Sequence, residues 1–179
     1  MNLGIQAFRY AAEPFFFSNA HDKNSPALFA KINHYFVITC CVVLLGVSIN
    51  IDILKHLIGD NFWGGLSIVP PLLMSYLFLG IYYNMSVWFK LTDQTHWGTI
   101  ITLIGAAITI VGNIMFIPIL GFMGSAFAAV LCYFTMMSIC YLAGQRNYPI
   151  PYSITRDAGY IIITYSVVLL VNQVAFESQ

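Results

Sequence analysis

The chain has 179 residues, 59% of them hydrophobic and only 8% charged, with a formal net charge of zero and a mean hydropathy of +0.80. A soluble globular domain carries about 25% charged residues, so this chain could bury a core but could not cover it with polar surface. Zero net charge also leaves no electrostatic attraction for nucleic acid or an acidic substrate.

In chain order, residues 1–17 (MNLGIQAFRYAAEPFFF) read as a helix too short to cross a bilayer, since about 15 residues rise only about 22 Å against roughly 30 Å of hydrocarbon. Arg9 and Glu13 sit near its middle. A signal peptide has its positive charge ahead of the apolar core and a small-residue cleavage site after it, and neither is present. The segment reads as the last part of a longer membrane helix whose beginning is missing. Residues 18–34 (SNAHDKNSPALFAKINH) form a polar connection with Lys23 and Lys31, and 35–53 are the first full span. The following LKHLIGDNFWGG carries Lys55, His56, Asp60 and Trp63.

Residues 66–120 organise the rest: spans over 66–89 and 97–120 flank a short charged turn with Lys90 and Asp93. Trp88 and Trp97 border that turn, where indole rings favour the headgroup zone, so the stretch reads as a membrane hairpin. Pro70 and Pro71 fall in the opening turn of the first helix, where a missing N–H does least harm. Pro118 and Gly121 close the second. A very short turn leads to a span over 124–144. Residues 145–157 (QRNYPIPYSITRD) are a loop stiffened by Pro149 and Pro151, and 158–176 are the last span. The fold class is an all-α integral membrane protein, a helical bundle. If successive segments alternate in direction, Lys23, Lys31, Lys90, Arg146 and Arg156 fall on one side and only Lys55 on the other. The positive-inside rule makes the first side cytoplasmic and puts the C-terminus outside.

Few residues in such a chain can carry chemistry. Arg9 and Glu13 lie four apart on one helix face, and an ionisable residue at membrane depth usually faces a protein interior or a wet cavity. Either Arg9 meets an anionic group of a substrate in a central cavity, or the two form a self-contained ion pair, or Arg9 snorkels to the interface. Asn84 and Asn113 are polar residues inside the hairpin helices and are candidates for substrate contact or for packing. Asn113 shares a face with Gly105, Ala106, Thr109 and Gly112, small residues that allow close helix approach. Gly124, Ser125, Ala128 and Ala129 make a second small-residue face, read as packing. Cys40, Cys41, Cys132 and Cys140 lie in apolar runs without CxxC spacing, which reads as packing rather than a disulfide or a metal site. His21, His34, His56 and His96 are scattered without metal-ligand spacing and read as interfacial. Asp52, beside Asn50, reads as a helix-end carboxylate in water, with a protonatable coupling site as the alternative. There is no nucleophile, carboxylate pair or metal cluster, so no catalytic residue, metal or cofactor is expected.

The stretch GIYYNMSVWFKLTDQTHWG, followed by NIMFIPILGFMGSAFAAVLCY, resembles the C-terminal half of bacterial polysaccharide and O-antigen flippases. These form the oligosaccharide flippase family of the multidrug/oligosaccharidyl-lipid/polysaccharide (MATE/MOP) exporter superfamily. The shared pattern runs through Asn113, Ile117, Pro118, Gly121, Gly124, Ser125 and Ala126. IQAFRYAAEPFFF is similar to the helix ending the preceding hairpin, and NYPIPY to the loop before the extra terminal helices of longer members. Ser125 stands where Ala is usual, and Ala129 where Thr is common.

The resemblance implies the second lobe of a V-shaped transporter of two six-helix lobes in the bacterial inner membrane. It would flip an undecaprenyl-pyrophosphate-linked oligosaccharide from the inner to the outer leaflet by alternating access, for cell-surface polysaccharide and lipopolysaccharide export. Arg9 is then the residue best placed for the pyrophosphate. The implied partners are the lipid-linked oligosaccharide, a missing N-terminal lobe and polysaccharide polymerase components. With one lobe absent, the chain alone is expected not to transport, and to be the C-terminal part of a broken or incompletely recorded gene. The alternatives are a MATE-type small-molecule exporter, which an acidic residue deep in the cavity would favour, and a non-transporting scaffold of a polysaccharide assembly complex. A polyprenyl-phosphate transferase would need loop clusters of Asp, His or Arg, and the loops offer single charges.

Overall fold

In hydrocarbon a single segment can pair all its backbone N–H and C=O groups only as a helix. The computed structural model describes residues 1–20, 22, 24–51 and 60–177, and every regular element among them is helical. The order is α1 (Asn2–Ser18), α2 (Ser25–Ile49), a 3-10 segment (Asp60–Ile68), α3 (Val69–Met85), α4 (Val87–Leu91), α5 (His96–Leu120), α6 (Phe122–Asn147) and α7 (Ile154–Glu177). Five rods are long and apolar enough to cross a membrane: Ser25–Ile49, Gly65–Leu91, His96–Leu120, Phe122–Asn147 and Ile154–Val171. The chain is an all-α, multi-pass membrane bundle.

Two helices begin earlier than the polarity of the sequence implies. The 18–34 stretch is not wholly a connection, because α2 starts at Ser25, with Pro26 in its first turn. A proline there supplies a pre-set φ where no intrahelical donor is needed. Likewise α7 starts at Ile154, four residues ahead of the expected span, and takes in Arg156 and Asp157. In both cases polar residues that read as loop are turned into the bundle and paired. The expectations for His21, Lys23, Asp52, Lys55 and His56 lie outside the described residues.

The rod over Gly65–Leu91 is the central element: 56% of its spanning window is buried, against 17% for α5. Pro70 and Pro71 occupy its opening helical turn. It breaks lightly at Ser86, whose Oγ donates to the Tyr83 carbonyl at 2.7 Å, a back-bond that commonly bends helices. The expected hairpin is not two helices packed along their length. Gly98 of α5 sits against the Phe89 ring of α4, and α6 packs against both α3 and α5. Trp88 lies three residues from the end of the rod, as expected, but faces protein. It is 1% exposed, its Nε1 donates to the Cys140 carbonyl at 3.2 Å, and a Cβ on Gly144 would come within 2.9 Å of its ring. The missing side chain at Gly144 is what lets α6 cover the indole.

Small residues set the α5–α6 contact. A Cβ on Gly105 would fall 2.5 Å from Met136 Sδ, and one on Gly112 3.0 Å from Ala128 Cβ. At Gly124 it would overlap the Phe116 carbonyl at 2.5 Å. The turn between the two helices is the single residue Gly121, with φ 58° and ψ −139°, a backbone conformation that side chains exclude.

The ends of the bundle are sorted. Phe16, Phe29, Val87 and Ile150 form one buried cluster, which brings together the end of α1, the start of α2, α4 and the loop before α7. Lys31 and Lys90 lie in α2 and α4, and Arg146 and Arg156 flank that loop at the end of α6 and the start of α7. At the opposite end, Ser67 of the 3-10 segment approaches Met123 at the start of α6, 3.9 Å from its sulfur. Helices therefore alternate in direction, as the charge pattern requires. Cysteines placed at Asp93 and Arg146 should react with an impermeant maleimide from the same side of the membrane, and one at Phe122 from the other. Labelling of the first two from opposite sides would undo this topology. Gly124→Ala should lower stability in detergent by about 1–3 kcal/mol, the usual penalty of overpacking, because backbone cannot move aside. Gly46→Ala, with nothing within 4 Å of the new methyl, should be neutral or stabilising.

Candidate functional site

α1 leans on α3 and α4, and this contact assembles the charged residues of the bundle. Arg9 and Glu13 are one turn apart, with Arg9 Nε 3.9 Å from Glu13 Oε1. That gap is too long for a hydrogen bond. Glu13 instead accepts a hydrogen bond from Lys90 Nζ in α4. The Arg9–Glu13 ion pair is therefore present but not self-contained: its one carboxylate is also bonded by Lys90, a partner from another helix. Arg9 is left with Nε buried and without a hydrogen-bond partner among the described residues. Its guanidinium lies over two rings, 4.8 Å from the centroid of Tyr83 and 5.4 Å from that of Tyr10. Cation–π contact holds the group in place without consuming its donors.

The charge balance of this cluster is two cations to one carboxylate. All three side chains keep about 30% of their surface accessible (30% for Arg9 and Glu13, 29% for Lys90). Together they form a partly wet, net-positive spot bordered by tyrosine. Tyr83 lies eight residues before the end of α4 at Leu91, so the guanidinium sits about 12 Å inside that end.

The other two expected site residues are placed elsewhere. Asn84 is 6% exposed and faces α2, where its Nδ2 donates to Asn33 Oδ1 at 3.4 Å. It is an inter-helix bond, and Asn84 follows Tyr83 on the same helix without joining the charged cluster. Asn113 is seventeen residues into α5, about 26 Å from the basic end, and cannot share a site with Arg9. Its Oδ1 is buried without a hydrogen-bond partner among the described residues.

Sequence reading missed a second polar cluster. His34 Nδ1 and Asp157 Oδ1 lie 2.5 Å apart, joining α2 to α7, and the Tyr160 ring packs 5.8 Å from the imidazole. Asp157 is 7% exposed. Both residues were read as loop or interface because the starts of their helices were set too late. Pro26 and the position of Asn33 one residue before His34 were the available signals. A cleft of about 490 Å³ lies between α2, α3, α6 and α7, and Asn33 and Asp157 line it, whereas Arg9, Glu13, Asn84 and Asn113 do not. Among the described residues no three His, Cys, Asp or Glu side chains converge as metal ligands.

Comparison of the chain with models of known protein families, with curated proteins and with solved structures finds no match.

Which cation owns Glu13 is measurable. A double-mutant cycle of Glu13→Gln with Lys90→Met should give a coupling of about 1 kcal/mol in detergent unfolding, the middle range for contacting charged residues. The cycle with Arg9→Gln should give less than half of that. Equal couplings would mean that Glu13 is shared.

Proposed function

We propose that the chain is one lobe of a lipid-linked oligosaccharide flippase and that Arg9 receives the anionic head of its substrate. The observation that carries this reading is the state of the Arg9 guanidinium. It is stacked on tyrosine, partly accessible, and only loosely paired, 3.9 Å from a Glu13 carboxylate that is hydrogen-bonded to Lys90. A buried arginine kept for stability is normally paired off, since an unpaired cation in hydrocarbon is costly. Here Nε is buried without a hydrogen-bond partner among the described residues, and a planar fork of N–H groups is suited to a phosphate or pyrophosphate.

In this role Arg9 and Lys90 attract the pyrophosphate from the basic end, and Glu13 prevents the pair from holding it irreversibly. The tyrosines at 10 and 83 border the same spot and supply faces on which a sugar ring can stack. A second lobe completes the cavity, and the lipid tail stays in the bilayer. Export through the bacterial inner membrane, and assembly with polysaccharide polymerase components, follow from the same reading.

The rival small-molecule exporter gains little. The buried acid that it calls for is Asp157, whose carboxylate is already bonded to His34 and lies in the first turn of α7, not deep in the bundle.

In cells whose surface polysaccharide depends on the complete transporter, Arg9→Ala should abolish polymer export at unchanged membrane abundance. Arg9→Lys should retain part of it, because charge is kept while the bidentate fork is lost. Normal export by Arg9→Ala would remove this residue from the mechanism.

A further inference from the structure

Ser86 is the single residue between α3 and α4, and the charged cluster is built across it. Its ψ of −11° departs from the roughly −42° of an α-helix, and its hydroxyl donates to the Tyr83 carbonyl at 2.7 Å. The residue is 3% exposed. A back-bond of this kind competes with the regular helix ladder and turns the helix axis. A buried serine in an apolar helix can satisfy its hydroxyl in this way at any position, so the bond alone says little. What singles out Ser86 is where α1 lands on either side of it.

α1 runs parallel to the rod and meets it turn by turn. Ile5 lies beside Gly80, where an added Cβ would come 3.6 Å from Ile5 Cδ1. One turn further along α1, Arg9 stacks on Tyr83, 4.8 Å from the ring centroid. One turn beyond that is Glu13. A straight rod would set Val87 opposite it, four residues after Tyr83, yet the carboxylate is bonded by Lys90, three residues or about 4.5 Å further on. The two charges of α1 therefore find partners on opposite sides of the break, Arg9 on α3 and Glu13 on α4.

We propose that Ser86 is a positioning residue of the Arg9 site. Its bond to the Tyr83 carbonyl holds α4 at the angle at which Lys90 engages Glu13, and so keeps Glu13 from closing on Arg9. Without that bond Lys90 withdraws, and a change of rotamer carries the Glu13 carboxylate across the 3.9 Å gap to the guanidinium. Arg9 is then neutralised within its own helix by an i, i+4 pair. Ser86 acts through these two contacts and does not itself meet an anion. The proposal deepens the reading of Arg9 as an anion site and rests on it for the identity of that anion.

The test uses the full chain in detergent and phenylglyoxal, a reagent that needs free guanidinium nitrogens, with modified residues mapped by mass spectrometry. Arg146 and Arg156, outside the cluster, are the internal references. Ser86→Val removes the hydroxyl, and Ser86→Thr has the same shape and keeps it. Ser86→Val should slow modification of Arg9 about fivefold against the references, the scale of one contact between charged groups, and Ser86→Thr should stay near the unaltered rate. Lys90→Met should slow it as much, and in a Glu13→Gln background Ser86→Val should have no effect. The sign separates positioning from a merely structural role, because a variant that only loosened the bundle would open Arg9 and speed the reaction. Faster modification in Ser86→Val, equal rates in the Val and Thr variants, or a Val effect that persists in Glu13→Gln would each overturn the role of Ser86. Inorganic pyrophosphate, added to the unaltered protein, should protect Arg9. Absence of protection with the serine effect intact would overturn the anion reading and leave Ser86 as the residue that sets the partner of Glu13.

Discussion

Lipid removes the force that packs most proteins. Apolar side chains gain nothing by leaving hydrocarbon for a hydrocarbon-like interior, so helices associate through close contact, cross-helix hydrogen bonds and little else. The arrangement around the Gly65–Leu91 rod is what that constraint leaves. α6 can approach the rod because Gly144 makes room for the Trp88 indole, which reaches the Cys140 carbonyl. α5 can approach α6 because Gly105, Gly112 and Gly124 present bare backbone. α2 is held by polar bonds, through Asn33 to Asn84 on α3 and through His34 to Asp157 on α7. Each interface thus has an identifiable device, and losing any of them exposes side chains to a solvent in which they are equally content.

Much of this was legible in the sequence and some was not, for one physical reason. Apolar length is a direct property of the residues, so the spans over the central rod, α5 and α6 follow from it, as does the all-helical class. Polar residues are ambiguous. Lys31, Asn33 and His34 read as loop because hydropathy scores a side chain as though it faced lipid, and in the bundle Asn33 and His34 face other helices. The same error delayed the start of α7 past Asp157. What the Trp88 indole packs against was not legible either, because the glycine that lets α6 cover it, Gly144, lies 56 residues further along the chain. The Arg9–Glu13 spacing was visible, but the competition for Glu13 was not, because Lys90 comes from a helix 77 residues away.

Taken together, the polar residues show an asymmetry across the membrane. Arg9, Glu13, Asn33, His34, Asn84, Lys90 and Asp157 all lie in the half of the bundle near its basic end. Asn113, the remaining expected site residue, lies in the other half, together with Ser48, whose Oγ is buried without a hydrogen-bond partner among the described residues. Among the described residues the basic half therefore carries most of the charge.

That asymmetry bears on how such a bundle can work. A fixed positive spot about 12 Å inside one end attracts anions from that end, where water and the basic loops already raise their local concentration. Among the described residues no basic side chain lies beyond it, so in the proposed role an anion at Arg9 would meet no second cation there. Onward movement then requires either a change in the distance between Arg9, Lys90 and Glu13 or a partner surface that competes for the anion. Glu13 is the pivot in both cases. Arg9 and Glu13 ride on the same helix, so a shift of α1 by about one residue along α4, roughly 1.5 Å, leaves their spacing unchanged and acts on the Glu13–Lys90 bond alone. The strength of the spot is set by packing between α1 and α4, and the lightest part of the bundle is the one that carries its charge.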